Sequence, residues 1–147
     1  MDFTQQTKKP DSIFKLKAFI NFEFKIPENH PSYNVVVEHK FDNNIEIYFF
    51  VPHMHYRGKS AKFEVIEPDG KVKLVGWTPY YDFNWQYEYR LKSPLMVEKG
   101  STLKMTLTYD NSKWNLMNPD PNKIVKWGRQ SWSEMFYFEI AYIEYDD

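Results

Sequence analysis

A chain of 147 residues is long enough for one ordinary domain and short for two. Its formal net charge is −1, with lysines and glutamates scattered rather than clustered, which argues against nucleic acid or an anionic membrane as the main partner. It has no cysteine, so disulfide scaffolds, thiolate zinc sites and cysteine nucleophiles are excluded, and no apolar run reaches the length of a membrane span.

The first ten residues, Met1 to Pro10, lack the apolar core of a signal sequence. We expect residues 1–12 to be a flexible segment and residues 13–147 to form one domain. On the sequence alone the chain is a cytoplasmic protein, a mature form, or a fragment of something larger. From Phe14 onward two-residue alternation dominates and helical periodicity is nearly missing. Phe14, Leu16, Ala18, Ile20, Phe22 and Phe24 would share one strand face. Tyr33, Val35, Val37, His39 and Phe41 would share another. The run from Ile45 to Tyr56 is apolar on both faces, as in a central strand.

Lys62 to Ile66 and Lys71 to Trp77 flank Pro68-Asp69-Gly70 and predict a hairpin. Phe83, Trp85, Tyr87, Tyr89 and Leu91 alternate with polar residues, as do Leu103, Met105, Leu107 and Tyr109, and a last strand covers Met135 to Tyr145. About eight strands separated by turn signals predict an all-β fold, an antiparallel β-sandwich of jelly-roll type. Helix should not exceed about a tenth of the chain. One long loop, Asp110 to Trp132, separates the last two strands, and a loop of that length is functional or packed on itself. Trp127 and Trp132 are expected to cap the core beneath it.

Pro52-His53-Met54-His55 holds the clearest chemical signal. Histidines at i and i+2 on a strand point to one face with Cα atoms roughly 6.5–7 Å apart. Both imidazoles can then reach one metal ion, since metal–nitrogen bonds are about 2.0 Å. That spacing also occurs on strands that bind nothing, so a third ligand is needed. His30 lies in the turn Glu28-Asn29-His30-Pro31 and reads as solvated. His39 sits on an apolar strand face and reads as a buried, hydrogen-bonded histidine or as a neighbour of the metal. Met135 by itself reads as a core residue at a strand start.

The stretch Trp132-Ser133-Glu134-Met135, followed by an aromatic strand, resembles the acidic-residue–Met motif of the copper type II, ascorbate-dependent monooxygenases. The resemblance is closest to bacterial proteins carrying the C-terminal domain of that family. It extends over His53-Met54-His55-Tyr56-Arg57-Gly58-Lys59, Tyr81-Asp82-Phe83-Asn84-Trp85-Gln86, Tyr109-Asp110-Asn111-Ser112, Asn118-Pro119-Asp120-Pro121 and Trp127-Gly128. The resemblance implies one copper per chain, held by His53, His55 and Met135 in the family's order. Thioether suits Cu(I) and imidazole suits both oxidation states, so the residue types agree with that metal. His39, Asp82, Asn84, Gln86 and Tyr137 are candidate surroundings of the site. For Asp82, Asn84 and Gln86 the competing reading is turn formation and a polar strand face.

The resemblance further implies oxygen activation for C–H hydroxylation, a small-molecule reductant such as ascorbate, and an exported, periplasmic or extracellular, protein. Family enzymes bring electrons through a second copper in a separate N-terminal domain. Beyond the candidate site only His30 and His39 remain, so that role would fall to a missing domain or a redox partner. The alternatives are a non-catalytic copper-binding or copper-relay module, and a sandwich that binds a ligand or partner protein through its aromatic surface. Where the peptide-amidating members place an arginine two residues before the histidine pair, this chain has Val51. Where they place a tyrosine four residues after the methionine, it has Glu139. Both departures remove groups that bind an anionic peptide end.

Overall fold

The computed structural model describes residues 12–145, so the segment expected to be flexible, 1–12, falls almost entirely outside the described residues. Ten strands follow in order: β1 (Lys15–Asn21), β2 (Lys25–Ile26), β3 (Tyr33–Lys40), β4 (Asn44–His53), β5 (Gly58–Ile66), β6 (Val72–Thr78), β7 (Tyr89–Val97), β8 (Thr102–Tyr109), β9 (Val125–Lys126) and β10 (Phe136–Tyr145). Eight of them are seven residues or longer, and the described residues contain no helix, as the alternation predicts.

One four-stranded sheet has the order β1-β10-β4-β7 and the other β3-β8-β5-β6, with every pairing antiparallel. The two sheets pack face to face as a β-sandwich. β4 lies inside its sheet between β10 and β7, which explains why its sequence is apolar on both faces. Pro52 has no N–H to give to a ladder. It sits beyond the last β4–β7 pair, Phe50 with Tyr89, where none is asked of it on that side. In β8, Leu103, Met105, Leu107 and Tyr109 are fully buried, so its alternation translates directly into a core face. The hairpin of β5 and β6 turns at Gly70, whose φ of 87° is left-handed and suits glycine.

Three expectations are corrected. In β1 the inward residue is Phe19, whereas Leu16 and Ile20 are 65% and 42% exposed. β1 is an edge strand with apolar residues on both faces, and Lys17 completes the inward one by extending its amine over the Phe19 and Phe41 rings at 5.8 and 5.6 Å. The alternation from Phe83 is a loop as far as Glu88, and only Tyr89 onward is strand. Asp82 caps a turn there by accepting the Asn84 N–H at 2.8 Å, and Trp85 stacks on Tyr87 outside the core, with centroids 6.0 Å apart. Trp132 is exposed and caps nothing, while Trp127 does pack on the core and against Phe22.

The long loop carries a strand that sequence reading missed. β9 pairs with β2, so the segment between β8 and β10 is fastened back to the start of the chain.

The centre of the core is a cluster of rings. Phe50 stacks on Phe138 and on Tyr89, with centroids 5.7 and 5.3 Å apart, and Phe63 packs on both Phe50 and Phe138. Gly76 on β6 leaves room for Phe50: a Cβ there would lie 2.2 Å from the end of the ring. We therefore expect Gly76→Ala to destabilise the fold by about 1–3 kcal/mol through overpacking. A urea titration of both proteins measures it, and an unchanged midpoint would mean that Phe50 can move aside.

Candidate metal centre

His53 is the last residue of β4 and pairs directly with Tyr137 near the start of β10. Run two residues further, the same register sets Met135 across from His55, on the face shared by His53 and Tyr137. The ladder itself ends at His53 and Tyr137, with His55 and Met135 each two residues past that last pair. The two imidazoles stand edge to face with centroids 5.1 Å apart, and the Tyr137 ring lies 6.1 Å from that of His53. His53 and Met135 are half-buried; His55 is buried, 4% exposed.

Each histidine is oriented by a different partner. The Nδ1 of His53 meets the Oε1 of Gln86, and Gln86 is itself fixed by donating to the Phe83 carbonyl at 3.0 Å. With Nδ1–H given to that oxygen, Nε2 carries the free lone pair. In His55 the ring interacts with the backbone carbonyls of Ser133 and Gln130, yet Nδ1 is buried with no hydrogen-bond partner at all. A buried acceptor without a partner is costly and calls for an explanation. Burial, then the neighbouring His53, lowers the His55 pKa and favours the neutral ring that a metal requires.

The chain between and after the histidines is held by side chains that sequence reading passed over. Tyr81 reaches the residue between them: its hydroxyl donates to the Met54 carbonyl at 2.8 Å and accepts the Met54 N–H at 3.1 Å. Burial pushes the Tyr81 hydroxyl up to about 12. Gly58 closes the turn against the same group, where a Cβ would come within 2.6 Å of the Tyr81 ring. Tyr109 donates to the Met135 carbonyl at 2.9 Å.

Glu134 is fully buried, and its carboxylate takes three backbone N–H groups. Oε2 accepts those of His55 at 2.8 Å and Met135 at 3.2 Å, while Oε1 accepts that of Arg57 at 2.7 Å. Burial pushes this carboxyl up to about 7, against the pull of the three donors and of the Arg57 charge.

Arg57 is also buried. Its guanidinium donates to Asn111 Oδ1 at 2.8 Å and to the Trp132 carbonyl at 2.9 Å. Asn111 in turn donates to the carbonyls of Pro27 and Lys123, and Asn118 donates to its Oδ1. These polar residues pin the long loop beneath the histidine turn. Their signal in sequence was the group of Asp, Asn and Pro motifs, which reads locally as turns and reveals nothing of this hub.

Of the other candidates, Gln86 and Tyr137 join the site. Asp82 and Asn84 form the turn that presents Gln86 and do not touch the histidines. His39 lies elsewhere: it pairs with Leu103 and packs between Phe19 and Phe41, six strand residues or roughly 20 Å along β3 from the end that Tyr109 closes. His30 bonds locally to the Ser32 N–H at 3.3 Å. Val51 and Glu139, the two departures from the peptide-amidating pattern, face each other across the β4–β10 ladder, and Glu139 accepts the Tyr137 hydroxyl. Phe83 stands edge-on to both His55 and Tyr56, and beside it opens a cavity of about 380 Å³ lined by Tyr56, Tyr81, Asn84, Asn115 and Met117.

Among the described residues no cluster of three or more His, Cys, Asp or Glu side chains could hold a metal. The candidate donors are instead two imidazoles and a thioether, a set whose softness suits copper better than calcium, magnesium or a carboxylate-bound ion. No helix of the described residues is long and apolar enough to cross a membrane. Among curated proteins none matches this chain. Residues 13–145 match the family model described as copper type II ascorbate-dependent monooxygenase, C-terminal domain, and the chain belongs to that family.

Proposed function

We propose that this chain is the copper-binding, oxygen-activating domain of a monooxygenase, holding one copper through His53, His55 and Met135. The observation that carries this reading is the buried Nδ1 of His55, which has no partner in the protein. When bound, the copper would supply one-electron redox chemistry for the reduction of oxygen during C–H hydroxylation. The protein's own part is placement. Gln86 turns the His53 ring, Tyr81 fixes the residue between the histidines, and Tyr109 fixes the carbonyl of Met135. Val51 and Glu139 leave no cationic grip for a carboxylate beside His53, so a glycine-extended peptide is a poor fit as substrate.

Hydroxylation with oxygen takes two electrons from outside, and one copper stores one. We therefore assign the remaining supply to an ascorbate-type reductant acting with a second copper-bearing domain or a redox partner. The family assignment supports ascorbate, and it supports an exported compartment as the place of action.

Met135→Ala should weaken Cu(I) by about tenfold or more, roughly 1.4 kcal/mol, and Cu(II) by less, because thioether prefers the softer ion. His53→Ala should weaken both. Competition with chromophoric chelators for each oxidation state measures this, and equal losses in the methionine variant would remove Met135 from the ligand set. Given copper and ascorbate but no partner, the chain should take up oxygen slowly and return it as hydrogen peroxide. Hydroxylated product formed one-for-one with oxygen consumed would show that a second electron site exists in this chain. Copper binding with no oxygen uptake at all would instead favour a copper-relay module.

A further inference from the structure

We propose that Glu134 is a positioning residue for the copper centre, acting as a spacer that holds the His55 and Met135 backbones at the separation an ion needs. The inference rests on the copper reading above. Direct pairing of β10 with β4 ends at Tyr137 and His53, two residues short of each of the other two candidate ligands. In a continued ladder the chains would stay 4.5–5.5 Å apart, with facing side chains in contact and little room between them. Here the ladder stops, and a carboxylate is inserted instead. A single oxygen, Oε2, accepts the N–H of His55 and the N–H of Met135, so the two ligand-bearing backbones are joined through one atom rather than to each other.

The rest of the carboxylate fixes the direction of that link. Oε1 takes the Arg57 N–H, which anchors the group from the far side of the histidine turn. Three donors converging on two oxygens require a carboxylate. The amide of a glutamine has one oxygen: aimed at Arg57 it turns the NH₂ group on the N–H groups of His55 and Met135, and aimed at those two it turns the NH₂ group on the Arg57 N–H, so the anchored link is lost either way. Tyr81 and Tyr109 brace other atoms, the backbone of Met54 and the carbonyl of Met135, and neither spans the two ligands. Glu134 alone among the hydrogen-bonding groups described touches both ligand residues. Its effect should therefore fall on the thioether, the ligand that arrives from the other strand, more than on the two histidines, which share one segment.

The experiment compares wild type, Glu134→Gln and Val65→Ala, the last a core truncation near the far end of β5 that lowers stability without touching the site. Two readouts are taken on the full chain: X-ray absorption with chelator competition for the Cu(I) form, and amide hydrogen exchange by NMR on the metal-free form. In Glu134→Gln we expect histidine scattering to persist, sulfur scattering to disappear and Cu(I) affinity to fall about 10- to 100-fold. We also expect faster exchange at His55 and Met135 without metal. Val65→Ala should change none of these. Retained sulfur scattering and affinity in Glu134→Gln would overturn the proposal, as would the same losses in Val65→Ala. If the wild type itself shows no sulfur ligand, the copper reading fails, and the metal-free exchange rates still judge whether Glu134 clamps the two residues. Should the glutamine variant not fold, Glu134→Asp, which withdraws the oxygens by one methylene, takes its place with the same expected outcomes.

Discussion

Tyr137 stands opposite His53, and that single register ties the candidate site to the core of the sandwich. Antiparallel pairing of β4 with β10 fixes which residues of two distant segments face one another, and a shift of one residue would turn every side chain to the opposite face. His53 and His55 on one segment and Met135 on the other share a face only in this register. The ring cluster around Phe50, Phe63 and Phe138 holds it, because Phe138 pairs with Pro52 immediately beside the histidine. Core and site are therefore not separate: the side chains that pack the sandwich are neighbours in the ladder of those that form the centre.

Where the ladder ends, buried polar groups take over. Glu134, Arg57 and Asn111 are each almost fully enclosed; their partners are backbone groups of loops or turns, save that Arg57 and Asn118 also donate to the Asn111 side chain. Such a network is costly if partly satisfied and rigid if complete. The contrast with His55 is informative, since its Nδ1 is the one titratable atom of the site left without a partner. The Nε1 of Trp127, whose backbone bridges to Glu134, is the other buried atom nearby without a partner.

Strand periodicity was legible wherever a strand had one buried face, as in β3 and β8, or lay at a sheet centre, as in β4. It misled in β1, an edge strand with apolar side chains on both faces, because alternation reveals a period and not which side is inward. It misled again from Phe83 to Tyr87, where alternating rings lie in a loop governed by the Asp82 turn. The histidine pair and Met135 were readable as residue types with a familiar order. Glu134 and Arg57 were not readable as a brace, because their partners, Asn111 apart, are backbone groups, and a backbone N–H or C=O leaves no letter in a sequence. Gln86 fell between these cases, named among polar neighbours but given its place only by its contact with His53.

The separation of the site's parts along the chain has a consequence for how the protein is made. Glu134, the residue before Met135, lies 79 positions after His55. Their meeting waits on a non-local pairing of the kind that forms slowly, so the complete donor set is absent from the unfolded chain. A histidine pair two residues apart persists without the fold, whereas Met135 reaches the same end of the sandwich only through it. On the copper reading proposed above, the full donor set would exist only in the native state, which would then bind the metal more tightly than the unfolded chain does. At a free concentration a hundredfold above its dissociation constant, such a ligand adds about 2.7 kcal/mol to stability, less any affinity for the unfolded chain. On the same reading, the long β4–β10 pairing would tie the protein's lifetime to its copper supply.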